Sequence, residues 1–241
     1  MLWYSGFMRM RSRPSWRVVQ EEAQDLHLML FVRDSFALGV AGEGIPGPLA
    51  PAVTDLSGQV EEPVRGAAAM AWPDWWRAGV DAHRATGDPQ PPGVPIAGPH
   101  RLSGLLAGLD GPGFESLSDV PALREAARAA YHPFCEWWSP PWPDGAPVQP
   151  DREGRLEYPG VRGQLIDLLH LHRLTVNEVV ARIERELGRT AEPFAFHIDI
   201  LAVTEPRVPA HDEHHAAVSA PLVADETGFR DWLYATLRPI A

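Results

Sequence analysis

The stretch Phe194-Ala195-Phe196-His197-Ile198-Asp199-Ile200-Leu201-Ala202-Val203 decides how the C-terminal third is read. Phe194, Phe196, Ile198 and Ile200 recur at every second position, the period of a strand, and put His197 and Asp199 together on the opposite face. A strand is therefore expected over 194–203. A second run of strand character covers 215–223, beyond a loop containing Pro206 and Pro209, and the two are expected to pair as a β-hairpin. Upstream, Thr175-Val176-Asn177-Glu178 fits a capping box, with Val176, Val179, Val180, Ile183 and Leu187 as the apolar face and Gly188 as the stop. Residues 163–172 form another expected helix, carrying Leu165, Leu168 and Leu169. Asp225 is expected to cap a closing helix with Phe229, Trp232, Leu233 and Leu237. The region 151–241 thus reads as helix–helix–β-hairpin–helix.

The region 14–150 reads as mainly helical. Trp16, Val19, Ala23, Leu26 and Leu30 follow helical spacing and predict a helix over 15–40, with Glu21, Glu22 and Asp25 off its apolar stripe. A second helix over 62–85 carries Trp72, Trp76 and Val80 at intervals of four, its second half starting at Pro73. A third, over 119–138, has Asp119 as the expected N-cap and Pro121 in the first turn. Leu123, Ala127, Ala130 and Phe134 form its stripe, and Pro133 is expected to kink or end it. Pro/Gly-dense stretches at 42–51, 87–100 and 139–150 read as loops. The fold class is α+β, and the two regions carry enough apolar faces to share one core. Residues 1–13 read as an extension or a start-site artefact, because Met8 and Met10 are alternative starts.

Composition narrows the function. The 241 residues carry a formal charge of −11, and their only basic excess is Arg9, Arg11, Arg13 and Arg17 near the start. Such a body repels phosphate backbones, so nucleic acid is not an expected partner. All 21 basic residues are arginine and lysine is absent, a bias expected of a high-GC bacterial genome. The single cysteine, Cys135, cannot form an internal disulfide. The N-terminus lacks the order of a signal peptide, and no run is apolar enough for a membrane span. A soluble, cytoplasmic protein is expected.

Several candidate sites compete with ordinary readings. Histidine and carboxylate side chains are common ligands of zinc and other divalent metals, and His211, Asp212, His214 and His215 cluster within five residues. Asp212 stands where the zincin H-E-x-x-H motif needs glutamate, and a proline-bounded loop is the wrong setting for it, so a solvated loop is the ordinary reading. His197 and Asp199 could orient a general base or hold a metal, or simply line a wet strand face. In a hairpin centred near Pro209, His197 would lie some six residues from the level of His215, roughly 20 Å at 3.3 Å per residue, too far to share a metal. His170 and His172 point about 200° apart on a helix. Cys135 with His132 is a nucleophile candidate whose ordinary reading is a small core residue.

Nine tryptophans are the strongest compositional signal. Trp72, Trp75, Trp76, Trp137, Trp138 and Trp142, set among prolines, could line a groove for a protein or small-molecule partner. Their ordinary role would be to staple loops to the core. With no nucleophile elbow, Walker A loop or Rossmann fingerprint present, the leading expectation is a non-enzymatic binding protein with a Trp/Pro-rich surface and no cofactor. The alternative is a metal-dependent hydrolase using the 211–215 cluster or the His197/Asp199 pair, with zinc or another divalent metal.

Overall fold

The computed structural model describes residues 4–6, 16–86, 114–141, 158–172, 174–206 and 210–241. Its fold is α+β. Five strands form one sheet in the order β1-β2-β3-β5-β4, with β1 Tyr4–Gly6, β2 Arg17–Glu21, β3 Ala195–Leu201, β4 Ala210–His211 and β5 His215–Ser219. The three central strands run parallel, and each edge strand is antiparallel to its neighbour. The helices are α1 Gln24–Ser35, α2 Glu62–Thr86, α3 Pro121–Trp138, α4 Gly160–Leu171, α5 Thr175–Leu187, α6 Ala220–Ala224 and α7 Glu226–Leu237. One buried cluster draws on both the N-terminal helices and the C-terminal strands, from Leu26, Trp72 and Phe134 to Ile198, Val218 and Phe229.

Two corrections to the sequence reading concern the sheet. The region 15–40 is not one helix: Arg17–Glu21 is a strand, and α1 begins only at Gln24. Val18 and Val19 are both buried, so this short strand has no wet face and none of the alternation that would distinguish it. The second correction is the hairpin. β3 and β5 are parallel, with His197 level with His215 and Asp199 level with Ala217. The chain from 202 to 214 is long enough for a parallel return, and part of it becomes β4, pairing antiparallel with β5. Residues 220–223, expected as the end of a strand, instead belong to α6, with Ser219 as N-cap and a proline in the first turn.

Local signals fared unevenly at the helix ends. Gly188 takes the left-handed conformation that stops α5, and Asp225 caps α7 by accepting from the Gly228 N–H. The expected capping box does not form: Leu174 is the N-cap of α5, and the Thr175 hydroxyl contacts His172 instead. Val120, not Asp119, is the N-cap of α3, and that helix runs through Pro133 to Trp138.

Helices α1, α2 and α3 pack against one another, and Gly79 sets how closely α2 approaches α1. A Cβ built there would lie 2.7 Å from both Sδ and Cε of Met29 and 3.2 Å from Leu26 Cδ2. Gly79→Val is therefore expected to destabilise the fold by about 1–3 kcal/mol through overpacking. Gly79→Ala should cost less, because the Met29 terminus can swing aside. Urea unfolding of both variants checks this, and equal stability of Gly79→Val and the native chain would refute it.

Candidate metal centre

Parallel pairing changes what the polar strand residues can do. Glu21 ends β2 and pairs with Asp199 across the sheet, while His197 of β3 sits beside His215 of β5. The two-residue period puts His197 and Asp199 on one face, and β2 and β5 bring Glu21 and His215 to it. Far from being wet, that face is covered: His197 is 7% exposed, and Asp199 and His215 are fully buried. Helix α2 contributes His83, and Asp25 comes from the first turn of α1. On α2, His83 falls three residues beyond Val80, on the face that buries Trp72 and Trp76.

Asp199 is the hub. Its Oδ1 lies 3.1 Å from His197 Nε2, and its Oδ2 lies 2.7 Å from His215 Nε2 and 2.9 Å from His83 Nδ1. His197 Nε2 is also 3.1 Å from Glu21 Oε1. On its far side, His83 Nε2 meets both oxygens of Asp25, at 2.8 and 2.9 Å. One donor atom each from Glu21, His83, His197 and Asp199 can be chosen so that all lie within 4.8 Å of one another. Ligand atoms on a metal at 2.0–2.2 Å are separated by roughly 3.0–3.5 Å, so the contacting pairs at 2.9–3.1 Å already stand near ligand spacing, and the wider pairs would close in on a bound ion. The Asp25–His83 contact is the outer-shell arrangement that orients ligating histidines: a carboxylate takes the N–H of one ring nitrogen and turns the other toward the ion.

Charge is shared unequally across the cluster. Burial works against protonating His83, but the Asp199 and Asp25 carboxylates outweigh it and hold the imidazole well above its ordinary range. His197 is likewise opposed by burial, yet Asp199 and Glu21 push it up to about 9. For Asp199, burial favours the neutral acid, while the His83 and His197 charges and the hydrogen bonds from His197 and His215 drive its pKa well below the carboxylate range. Without a metal this is a buried ion-pair network. A metal would displace protons from the histidines and take their place as counter-charge.

The other candidates fall elsewhere. Asp212 is a turn-former: its Oδ1 accepts from the backbone N–H groups of His214 and His215, each at 2.8 Å. His214 is exposed while His215 turns inward, so among the described side chains the 211–215 run is not one ligand set. The His211 side chain lies outside the described residues. His172 is buried and tied to the Val223 carbonyl at 2.6 Å, beside Thr175. His132 is exposed and faces Glu136, and burial pushes the Cys135 thiol up, away from thiolate character.

Trp76 and Trp137 tie loops to helices, and Trp72 ties α2 to α1. Trp72 donates to the Met29 carbonyl at 2.7 Å and stacks on Trp76, which donates to the Gly44 carbonyl at 3.1 Å. Trp137 donates to the Pro51 carbonyl, and Trp138 stacks on Phe134. Trp72, Trp76 and Trp138 are buried, and Trp75 and Trp137 are half-buried. Trp142 lies outside the described residues.

Compared with protein-family models, curated proteins and solved structures, the chain matches none. Among the described residues, no helix is long and apolar enough to cross a membrane.

Proposed function

We propose that this protein is a metal-dependent hydrolase whose divalent transition metal is held by Glu21, His83, His197 and Asp199. The observation that carries the reading is the convergence of two histidines and two carboxylates from β2, β3 and α2 within 4.8 Å, under cover. The donor chemistry supports it: imidazole and carboxylate ligands suit zinc, iron and manganese, and zinc sites built to be purely structural favour thiolates. Glu21, whose side chain is 17% exposed, places the edge of the cluster near solvent, where a substrate could approach. Asp25 orients His83, and His215 braces Asp199. A bound divalent metal would supply Lewis acidity and an activated water for hydrolysis.

A Trp/Pro-rich binding surface is the weaker reading, because Trp72, Trp76 and Trp138 spend their faces in the interior. The test is metal content after loading with zinc, manganese or iron(II) and gel filtration, followed by phosphoester and amide substrate panels. At least one equivalent per chain, lost in His197→Ala and Glu21→Ala, together with turnover that follows the metal, is expected. A chain that retains no metal, or retains it equally in both variants, would sink the assignment. Full loading without turnover would remove the hydrolase and leave a metal-binding protein.

A further inference from the structure

We infer that the centre holds two divalent ions bridged by the Asp199 carboxylate. This rests on the metal-binding reading above and goes beyond it in number and partition. The two oxygens of Asp199 serve different partners. Oδ1 faces His197 Nε2, which also faces Glu21 Oε1. Oδ2 faces His83 Nδ1 at 2.9 Å and His215 Nε2 at 2.7 Å.

Each oxygen therefore stands with two other donors, and the donors of the two groups come from different side chains. One ion takes Glu21, His197 and Asp199 Oδ1. The other takes His83, His215 and Asp199 Oδ2. Three protein ligands each leave both ions open to further ligands, as catalytic sites require. A bridging carboxylate suits the separation of about 3.5–4 Å found in two-metal hydrolytic sites.

A further feature favours the pair over a single ion. His215 is fully buried with its Nε2 2.7 Å from Asp199 Oδ2, yet it stands outside the four-donor set. The ligand is a pair of borderline divalent ions such as manganese, iron(II) or zinc.

The probe is Mn²⁺, with metal per chain counted after gel filtration and the electron paramagnetic resonance spectrum recorded on the same samples. The native chain is expected to hold two equivalents and to show the multiline signature of a coupled manganese pair. His215→Ala is expected to fall to one equivalent with an isolated-ion spectrum. His214→Ala, altering the exposed neighbour, is expected to keep both. One equivalent with an uncoupled spectrum in the native chain would overturn the pair while leaving the single-metal reading intact. No bound manganese, zinc or iron would overturn both. The native spectrum decides the question even if His215→Ala fails to fold.

Discussion

Asp199→Ala is expected to lower folding stability by about 3–5 kcal/mol near pH 6 in the presence of EDTA, the cost of breaking a buried ion pair by removing one partner. The size follows from what is left behind. His83 and His197, both held protonated largely by Asp199, would keep a desolvated charge or surrender a proton, and the His215 ring would lose its hydrogen bond to Asp199. Marginal stability makes that loss a large fraction of the whole. Its pH dependence distinguishes an ion-pair origin from simple loss of packing. His197 has a folded pKa near 9 against 6.5 unfolded, so its contribution is complete below 6.5 and fades as pH rises through 9. Asp199 is depressed, so its own contribution is complete above about 3.8 and fades below it. The gap between native and variant chains is therefore widest between about pH 4 and 6.5 and narrows toward pH 9. Urea unfolding across that range checks it. A gap below 1 kcal/mol, or one flat from pH 5 to 9, would mean the cluster is not an ion-pair network.

Much of the helical frame is legible in the residue pattern, because the helices around the site are amphipathic and their faces repeat over several turns. The Trp72, Trp76 and Val80 stripe lies within α2, and the Leu123, Ala127, Ala130 and Phe134 stripe within α3. The sheet is harder to read for a physical reason. A central parallel strand is buried on both faces and loses the alternation that marks a half-wet strand. Helical spacing then absorbs Val19 and Leu26 into one stripe, although a strand end and a helix start lie between them.

The site illustrates the same limit. His197 and Asp199 are visible as a period-two pair, but their meaning depends on strand direction. An antiparallel return keeps His215 roughly 20 Å away at 3.3 Å per residue, whereas the parallel register sets it alongside His197. The length of 202–214 is compatible with a parallel return, whereas Pro206 and Pro209 within it read as a hairpin turn. Glu21 and Asp25 have the spacing of the polar side of a long helix, although one ends a strand and the other lies in the first turn of a helix. His83 had a usable mark: a histidine three residues past Val80 on an apolar face must find buried partners. Sequence spacing alone does not name Asp25 and Asp199 as those partners, since they come from α1 and β3.

His27 should give the protein an acid-sensitive stability that is independent of any metal. The ring is fully buried in α1 and lies against Trp138, with centroids 4.6 Å apart. Its partners fix the neutral tautomer. Nδ1 donates to the Ala23 carbonyl at 2.7 Å, and Nε2 accepts from the Ala202 N–H at 2.9 Å, just past the end of β3. An imidazolium could not accept that second bond. Desolvation outweighs the Ala23 hydrogen bond and the fields of Asp25 and Asp199, and lowers the pKa to about 4. Unfolding releases the ring to an ordinary value of 6.5, so the unfolded chain binds a proton that the folded chain refuses. The stabilisation is complete above pH 6.5 and is lost as pH falls toward 4, by about 3 kcal/mol at 1.36 kcal/mol per pKa unit. His83 and His197 add no slope in this window, because their raised values leave both states protonated there. His172, also lowered by burial, contributes a slope of the same sign. The test is therefore a comparison with His27→Gln, whose amide can donate to Ala23 and accept from Ala202 without titrating. The variant is expected to be less stable than the native chain at pH 7, through poorer fit against Trp138, but to lose about 3 kcal/mol less on acidification to pH 4. Urea midpoints at half-unit pH steps measure both curves. Parallel curves would show that His27 is protonated in the folded state, and the bond to Ala202 would then have to be abandoned.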